Sequence, residues 1–502
     1  MQRRTTLKSL GWLVAAGASA GSRQLFAQGP ASGTPADQWR ALSRLGYGLT
    51  PALLESIQAA GNPRAWSLQQ LDVAYQTSKT PPFIAPDLAD INLPLPQIFE
   101  GAARERQARA AIKAGAKPAT EGDTDPGRRF DFSGTPDAMY FNRVMIQKTT
   151  AWRLHISSSP ELENPLLARM TEFWFNHLNV YIGKGPVRPF VGHYVINVAR
   201  AHALGKFEDL LLASARHPAM LFYLDQWQSV AQGTRGPQGN ARGLNENYAR
   251  ELMELHTLGV DGGYTQTDVR ELARVLTGWT VGPQDSSGFR FVQRMHDNDR
   301  KTVMGKTYPD GFFGGGVNEG EQAIRMLARH PATAQRIALR LAEFFVADAP
   351  SPALVQQLKQ TFLQSGGDLR EVMRTLIASP DFWNPENRLF KTPLDFALSA
   401  LTATQSAGER KNLLLTAGFL NNAGQPLHGW QTPDGYKTDA ATWLAPEALT
   451  RRADYAMTLG RQSAGLEFLK PYMSNTTVSA IAQERPVLQA GLMLASPDFM
   501  YK

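Results

Sequence analysis

Between Thr50 and the last residues, apolar side chains recur mostly three or four apart, and Gly/Pro clusters separate the runs. This is the period of amphipathic helices, so the chain reads as mainly α, a multi-helix array. Thr50-Pro51 opens one clear helix, because Thr is a favoured N-cap and Pro a favoured first helical residue. Further helices are predicted over 136–156, 161–180, 191–213, 333–345, 352–364, 369–378 and 393–404. Residues 80–95 are proline-rich and read as extended, and 119–135 read as a mobile Gly/Asp-rich loop. Only one stretch alternates with period two. Phe289–Val292 and Lys301–Met304, around a turn at Asp297–Asp299, predict a single small β-hairpin with His296 and Asp297 at its tip.

Polar residues concentrate in 244–279, LNENYARELMELHTLGVDGGYTQTDVRELARVLTGW. It reads as two helices around a turn at Gly259, Gly262 and Gly263. A step of about 100° per residue puts Asn247, Glu251 and Glu254 on one stripe, beside an apolar stripe of Tyr248, Leu252 and Leu255. Thr267 or Asp268 is expected to cap the second helix, whose Val269, Leu272, Leu276 and Trp279 form a buried face. The 161–180 helix ends in FWFNHLNV. There Glu172, Asn176 and Asn179 share a polar stripe, while His177 falls among Met170, Phe173 and Trp174. His177 is either a core histidine satisfied by one hydrogen bond or a ligand or acid–base group. Leu376-Ile377-Ala378-Ser379-Pro380-Asp381-Phe382 recurs as Met493–Phe499, with a looser copy at Leu211–Ser214 before His217-Pro218. The copies predict a reused helical unit whose spacing is too irregular for a solenoid. The Gly/Pro/Trp loop 424–443 is a lid, a binding surface or packing.

Composition narrows the chemistry. An apolar fraction of 43% in 502 residues supports a large core, and there are no cysteines. Disulfides, thiolate zinc sites, iron–sulfur clusters and covalently attached c-type haem are thereby excluded. The N-terminus reads as an export signal over 1–28. Arg3-Arg4 precede a short Gly/Ala-rich apolar run ending in a small-residue cleavage pattern, which fits twin-arginine export to the periplasm or beyond. Removing those residues lowers the net charge from +7 to +3, leaving no argument for nucleic acid. No second run reaches membrane length. The remainder divides into an N-terminal helical segment with mobile loops (29–135), a central core carrying the polar hairpin (136–318) and a C-terminal helical region (319–502).

Phosphate-loop, HExxH, EF-hand and dinucleotide signatures are missing. What remains is a scattered set of acids and imidazoles: Glu172, His177, Asp225, Glu246, Glu251, Glu254, His256, His296 and Asp297. Glu251, His177 and Glu246 are the candidate catalytic groups. His177, Glu251, His296 and Asp297 are the candidate ligands of a divalent metal. Glu and His five apart stand about 140° apart on a helix, so Glu172/His177 or Glu251/His256 alone chelates poorly, and ligands would have to come from different elements. The alternative is a buried polar network of Asn245, Asn247, Arg250, Glu251 and Asp268 that locks the two helices.

FWFNHLNV, the whole 244–279 motif, His296-Asp297 ahead of Lys301 and Gly305, and the Gly429-Trp430, Pro433-Asp434-Gly435, Trp443, Arg451 series resemble the bacterial domain-of-unknown-function 1800 family. The likeness covers about 40–500. That family often reads Phe-Trp-His-Asn-His, and Phe175 stands here in place of the first histidine. The resemblance implies an exported, mainly helical protein working with an exported sulfatase/phosphatase-like partner, and it implies no reaction. Two functions follow as expectations. One is a metal-dependent enzyme acting on an envelope or extracellular polymer; the other is a non-catalytic envelope assembly or partner-binding protein.

Overall fold

The computed structural model describes residues 33–115, 140–234, 243–311, 315–463 and 465–502. The expected signal segment, the 119–135 loop and part of the Gly311–Gly316 loop lie outside them. The described chain is mainly α, with two small two-stranded sheets. None of its helices is long and apolar enough to cross a membrane.

Local chemistry sets many helix starts. Thr50 caps Pro51–Ala59 by accepting from the Leu53 amide. Asn164 caps Pro165–His177, and Thr265, with Asp268 as its reciprocal partner, forms a capping box on Gln266–Val275. The cap of that last helix is therefore Thr265, two residues before the expected position; Asp268 serves as third residue of the box. The recurring Ser-Pro segments are one corner used repeatedly. Ser379 and Ser496 accept from the amides of Phe382 and Phe499, and His217 and His330 from those of Ala219 and Ala332. In each, an extended capping residue stops one helix and Pro begins the next.

The strand pairing differs from expectation. Phe289–Phe291 pairs antiparallel with Trp279–Val281, and Lys301–Val303 pairs with Lys306–Tyr308. Met304 and Gly305, both at positive φ, make a two-residue turn that closes the second hairpin. A 3-10 turn at Gln293–Met295 carries the chain away from the pairing read from alternation alone.

One hydrophobic cluster runs from Ala41 to Met500, so all three expected segments share a core. Its centre includes the helix Pro165–His177, of which Glu172 alone is not buried. Arg169 on this helix pairs with Asp395, which also binds Lys502. All three are buried.

Burial pushes the Asp395 carboxyl up, but Arg169 and Lys502 outweigh it and hold it below the ordinary range. Its contribution to stability is therefore present above the unfolded Asp value, about 4, and is lost as pH falls through the depressed folded value. Asp395→Ala is expected to cost about 3–5 kcal/mol in urea unfolding at neutral pH, because two buried cations lose their carboxylate. The wild-type and variant stabilities should converge in strong acid.

Candidate functional site

The polar stripe of the Pro165–His177 helix faces the 424–443 loop and holds it. Asn176 Nδ2 donates to the Tyr436 carbonyl (2.9 Å), and its Oδ1 accepts from the Tyr436 amide (2.7 Å). Asn179, just beyond the helix, donates to the carbonyls of Trp430 (3.1 Å) and Thr432 (2.9 Å). The Tyr223 hydroxyl donates to Gln431 O (2.7 Å), and the Ile182 amide to His428 O (3.2 Å). Gly435 is required here: φ is +72°, and a Cβ would stand 2.2 Å from the Asn176 carbonyl. The loop is a strapped wall.

Beneath the wall lies a sealed ionic group. Arg153 pairs with Glu172, stands over the Phe175 ring (4.5 Å) and meets the His428 ring (3.3 Å to Nδ1). His428 sits at φ +60°, uncommon for a non-glycine residue. Burial and Arg153 keep its imidazole well below the usual pKa, hence neutral. The space among Arg153, Glu172, Asn176, His428 and Tyr436 is about 10 Å³, at the lower limit for one water. No substrate fits there.

At the wall's outer rim two carboxylates are tuned in opposite directions. Glu251 is half-buried and has no hydrogen bond or ion pair among the described residues. Burial, Glu254 and Asp434 raise its pKa, with Arg250 partly offsetting them. Asp434 would also be raised by burial, but Thr432 Oγ1 (2.6 Å) and Trp430 Nε1 (2.8 Å) donate to its Oδ1 and lower it. Tyr223 lies within electrostatic reach of both acids; burial first, then Glu251 and Asp434, raise its phenol. Trp430 and Tyr436 stack obliquely at 4.8 Å, and Tyr264 donates to Glu254 (3.3 Å). Carboxyls shifted in opposite directions can divide acid and base roles.

Glu251 follows directly into a π-helical turn, Leu252–Thr257. Such turns are rare inside helices and frequent at functional sites. His177 Nε2 donates to the His256 carbonyl of this turn (3.1 Å). Its imidazole is buried and held well below its ordinary pKa by burial, Arg336, His256 and Arg340. His177 thus acts as a core histidine that fixes the turn following Glu251.

The other expected site residues have partners of their own. Glu246 accepts from Gln266 (2.8 Å) and faces Arg250 (3.5 Å). His296 Nδ1 donates to Thr277 O (2.9 Å), while Nε2 meets Glu319 (3.3 Å), itself paired with Lys301 (2.5 Å). Asp297 is taken by Arg274 (2.7 and 3.2 Å). Asp225 pairs with Lys184. His177, Glu251 and the consecutive His296 and Asp297 have separate hydrogen-bond partners, and no group of three or more His, Asp or Glu among the described residues is arranged to hold a metal ion. The donor set expected for a divalent metal does not fit one.

Asp434 and Tyr223 join Glu251 at the rim without having been singled out for it in the sequence. Asp434 had a signal, the Pro-Asp-Gly turn following Gly429-Trp430. The family described as protein of unknown function (DUF1800) matches residues 40–501. No curated protein and no solved structure matches the chain.

Gly435→Ala is expected to destabilise by more than about 1–2 kcal/mol, the left-handed backbone penalty alone, because the Asn176 carbonyl adds a clash. Gly418→Ala, inside the helix Arg410–Asn422 with open space at its Cβ, should instead stabilise by up to about 1 kcal/mol. Denaturant midpoints of the two variants read both signs.

Proposed function

The chain belongs to the family of proteins of unknown function DUF1800, and from that premise we propose an exported acid–base enzyme that cleaves an envelope or extracellular polymer. The observation that carries this reading is a half-buried Glu251 with no side-chain partner among the described residues and a raised pKa, within electrostatic reach of an Asp434 whose pKa its own loop lowers. Opposed tuning of neighbouring carboxyls is what general acid–base cleavage needs. Glu251 gives its proton to the leaving-group oxygen, and Asp434 takes one from the attacking water. The water's oxygen bonds to the carbon that the leaving group vacates. Partly exposed Trp430, Tyr181 and Tyr264 offer aromatic faces to a hydroxylated chain. His177 and Glu246 contribute by fixing the helix that presents Glu251. Export through the Arg3-Arg4 leader places the enzyme where such a polymer lies, alongside a sulfatase/phosphatase-like partner acting on the same material.

The test is release of new chain ends from envelope and secreted polymer fractions by protein purified from the periplasm. Glu251→Gln is expected to lower the rate by about 10²–10⁴-fold, and Asp434→Asn comparably. Because Glu251 must be protonated, the rate should fall as pH rises through its raised pKa, a limb displaced above the ordinary carboxyl range. If wild type releases no chain ends from any fraction, and Glu251→Gln cells are indistinguishable from wild type, the assembly-protein reading takes its place. Replacing Arg3-Arg4 with Lys-Lys should leave the protein in the cytoplasm; an unchanged distribution would remove export by the twin-arginine route.

A further inference from the structure

Asp434 does not hold its own position. Its loop is fixed by donors from other parts of the chain, and those nearest it come from Asn179. The single amide of Asn179 reaches two carbonyls, Trp430 O and Thr432 O. Residues 430 and 432 are also the two that donate side-chain hydrogen bonds to Asp434 Oδ1. Asn179 is buried (2% exposed), and the Tyr223 hydroxyl takes the intervening carbonyl, Gln431 O. Three consecutive carbonyls are therefore pinned from one side, and the indole and hydroxyl of the same residues grip the carboxylate from the other.

We propose that Asn179 is a positioning residue: its amide fixes the carbonyls of the two residues that hold Asp434, keeping that carboxylate within electrostatic reach of Glu251 and making residues 430–434 a fixed half of the site. This rests on the acid–base reading of Glu251 and Asp434 and adds to it the group that builds the pair. It also decides between the roles open to the 424–443 loop: a lid has to release, and this segment is held by buried amide donors. A free carboxylate in an untethered loop would turn to solvent, where charge is best hydrated. The Asn179 amide makes the less hydrated position the stable one.

The consequence is measurable without a known substrate, because Glu251 reports the presence of Asp434. The groups facing Glu251 are Glu254 and Arg250 on its own helix and Asp434 from the loop, with Tyr223 and Tyr264 adjacent. Of these, Asn179 acts on Asp434 through the loop carbonyls and on Tyr223 by a side-chain hydrogen bond; the Tyr223 phenol, itself raised, is neutral where a carboxyl titrates, so Asp434 is the only charged group that Asn179 governs. The full mature protein, labelled at the glutamate side-chain carboxyl carbon, is titrated by NMR as wild type, Asp434→Asn, Asn179→Ala and the double variant, with Glu251→Gln assigning the signal. Asp434→Asn is expected to lower the Glu251 pKa, and Asn179→Ala to lower it by the same amount. The double variant should fall no further than Asp434→Asn alone. Asn179→Ser, which keeps one donor, should fall between wild type and Asn179→Ala, and it keeps the test readable if Asn179→Ala does not fold. If Asp434→Asn moves Glu251 but the folded Asn179 variants leave it at the wild-type value, the positioning role is wrong while the carboxyl pair stands. If Asp434→Asn does not move it, both fail.

Discussion

The helix Pro165–His177 is almost wholly buried, yet it carries Arg169, Asn176 and His177 and is followed by Asn179. A buried polar group without a partner costs about 1–3 kcal/mol, more for a charge, so each must find one. Arg169 takes Asp395, Glu172 takes Arg153, Asn176 takes the Tyr436 backbone, His177 takes His256 O and Asn179 takes two loop carbonyls. These five demands fix the helices Phe141–Ser157 and Pro393–Thr404, the π-turn after Glu251 and the Trp430 loop around one element. The helix is a hub because it is too polar to be buried alone.

Ionic balance in the C-terminal half obeys the same rule with a surplus of cations. Around Asp395 lie Arg169, Lys502, Lys391 and Arg452, all buried. One carboxylate cannot neutralise four cations. Arg452 is stabilised by the Lys391 carbonyl (2.7 Å) and by the faces of Phe390 and Phe396. Lys391 Nζ has no hydrogen-bond acceptor among the described residues and stands 4.0 Å from the Phe499 ring centroid. Burial holds its pKa far below the ordinary lysine value, so deprotonation relieves the surplus that hydrogen bonding does not.

Periodicity and caps made the helical architecture legible: Thr50-Pro51, the glycines at 259 and 263 and the Ser-Pro corners all act as their local chemistry requires. The strand pairing was not legible, because Phe289–Phe291 and Lys301–Val303 alternate alike and nothing in alternation selects a partner. The polar stripe Glu172, Asn176, Asn179 was visible on a helical wheel, but what it faces lies about 260 residues away. A wheel gives direction and no distance. For the same reason Glu251 could be singled out while Asp434 could not: one sits in a dense polar motif, the other in a loop whose value depends on being strapped down.

The opposed tuning at the rim follows from what each acid can reach. Asp434 sits in a tight turn where Trp430 and Thr432, four and two residues earlier, point donors at it; short-range geometry satisfies its charge. Glu251 is on a helix whose nearest neighbours are Glu254 and Arg250, and Arg250 divides its guanidinium between Glu246 and Gln266. The hub histidine holds the following turn in place, so the helix cannot rotate Glu251 outward without breaking the bond to His256 O. A carboxyl with no ion pair among the described residues, partly dehydrated and within reach of other negative charges, has its pKa raised, Arg250 offsetting only part of the shift. Both states of the pair are consequences of backbone placement, and that placement begins with the buried helix.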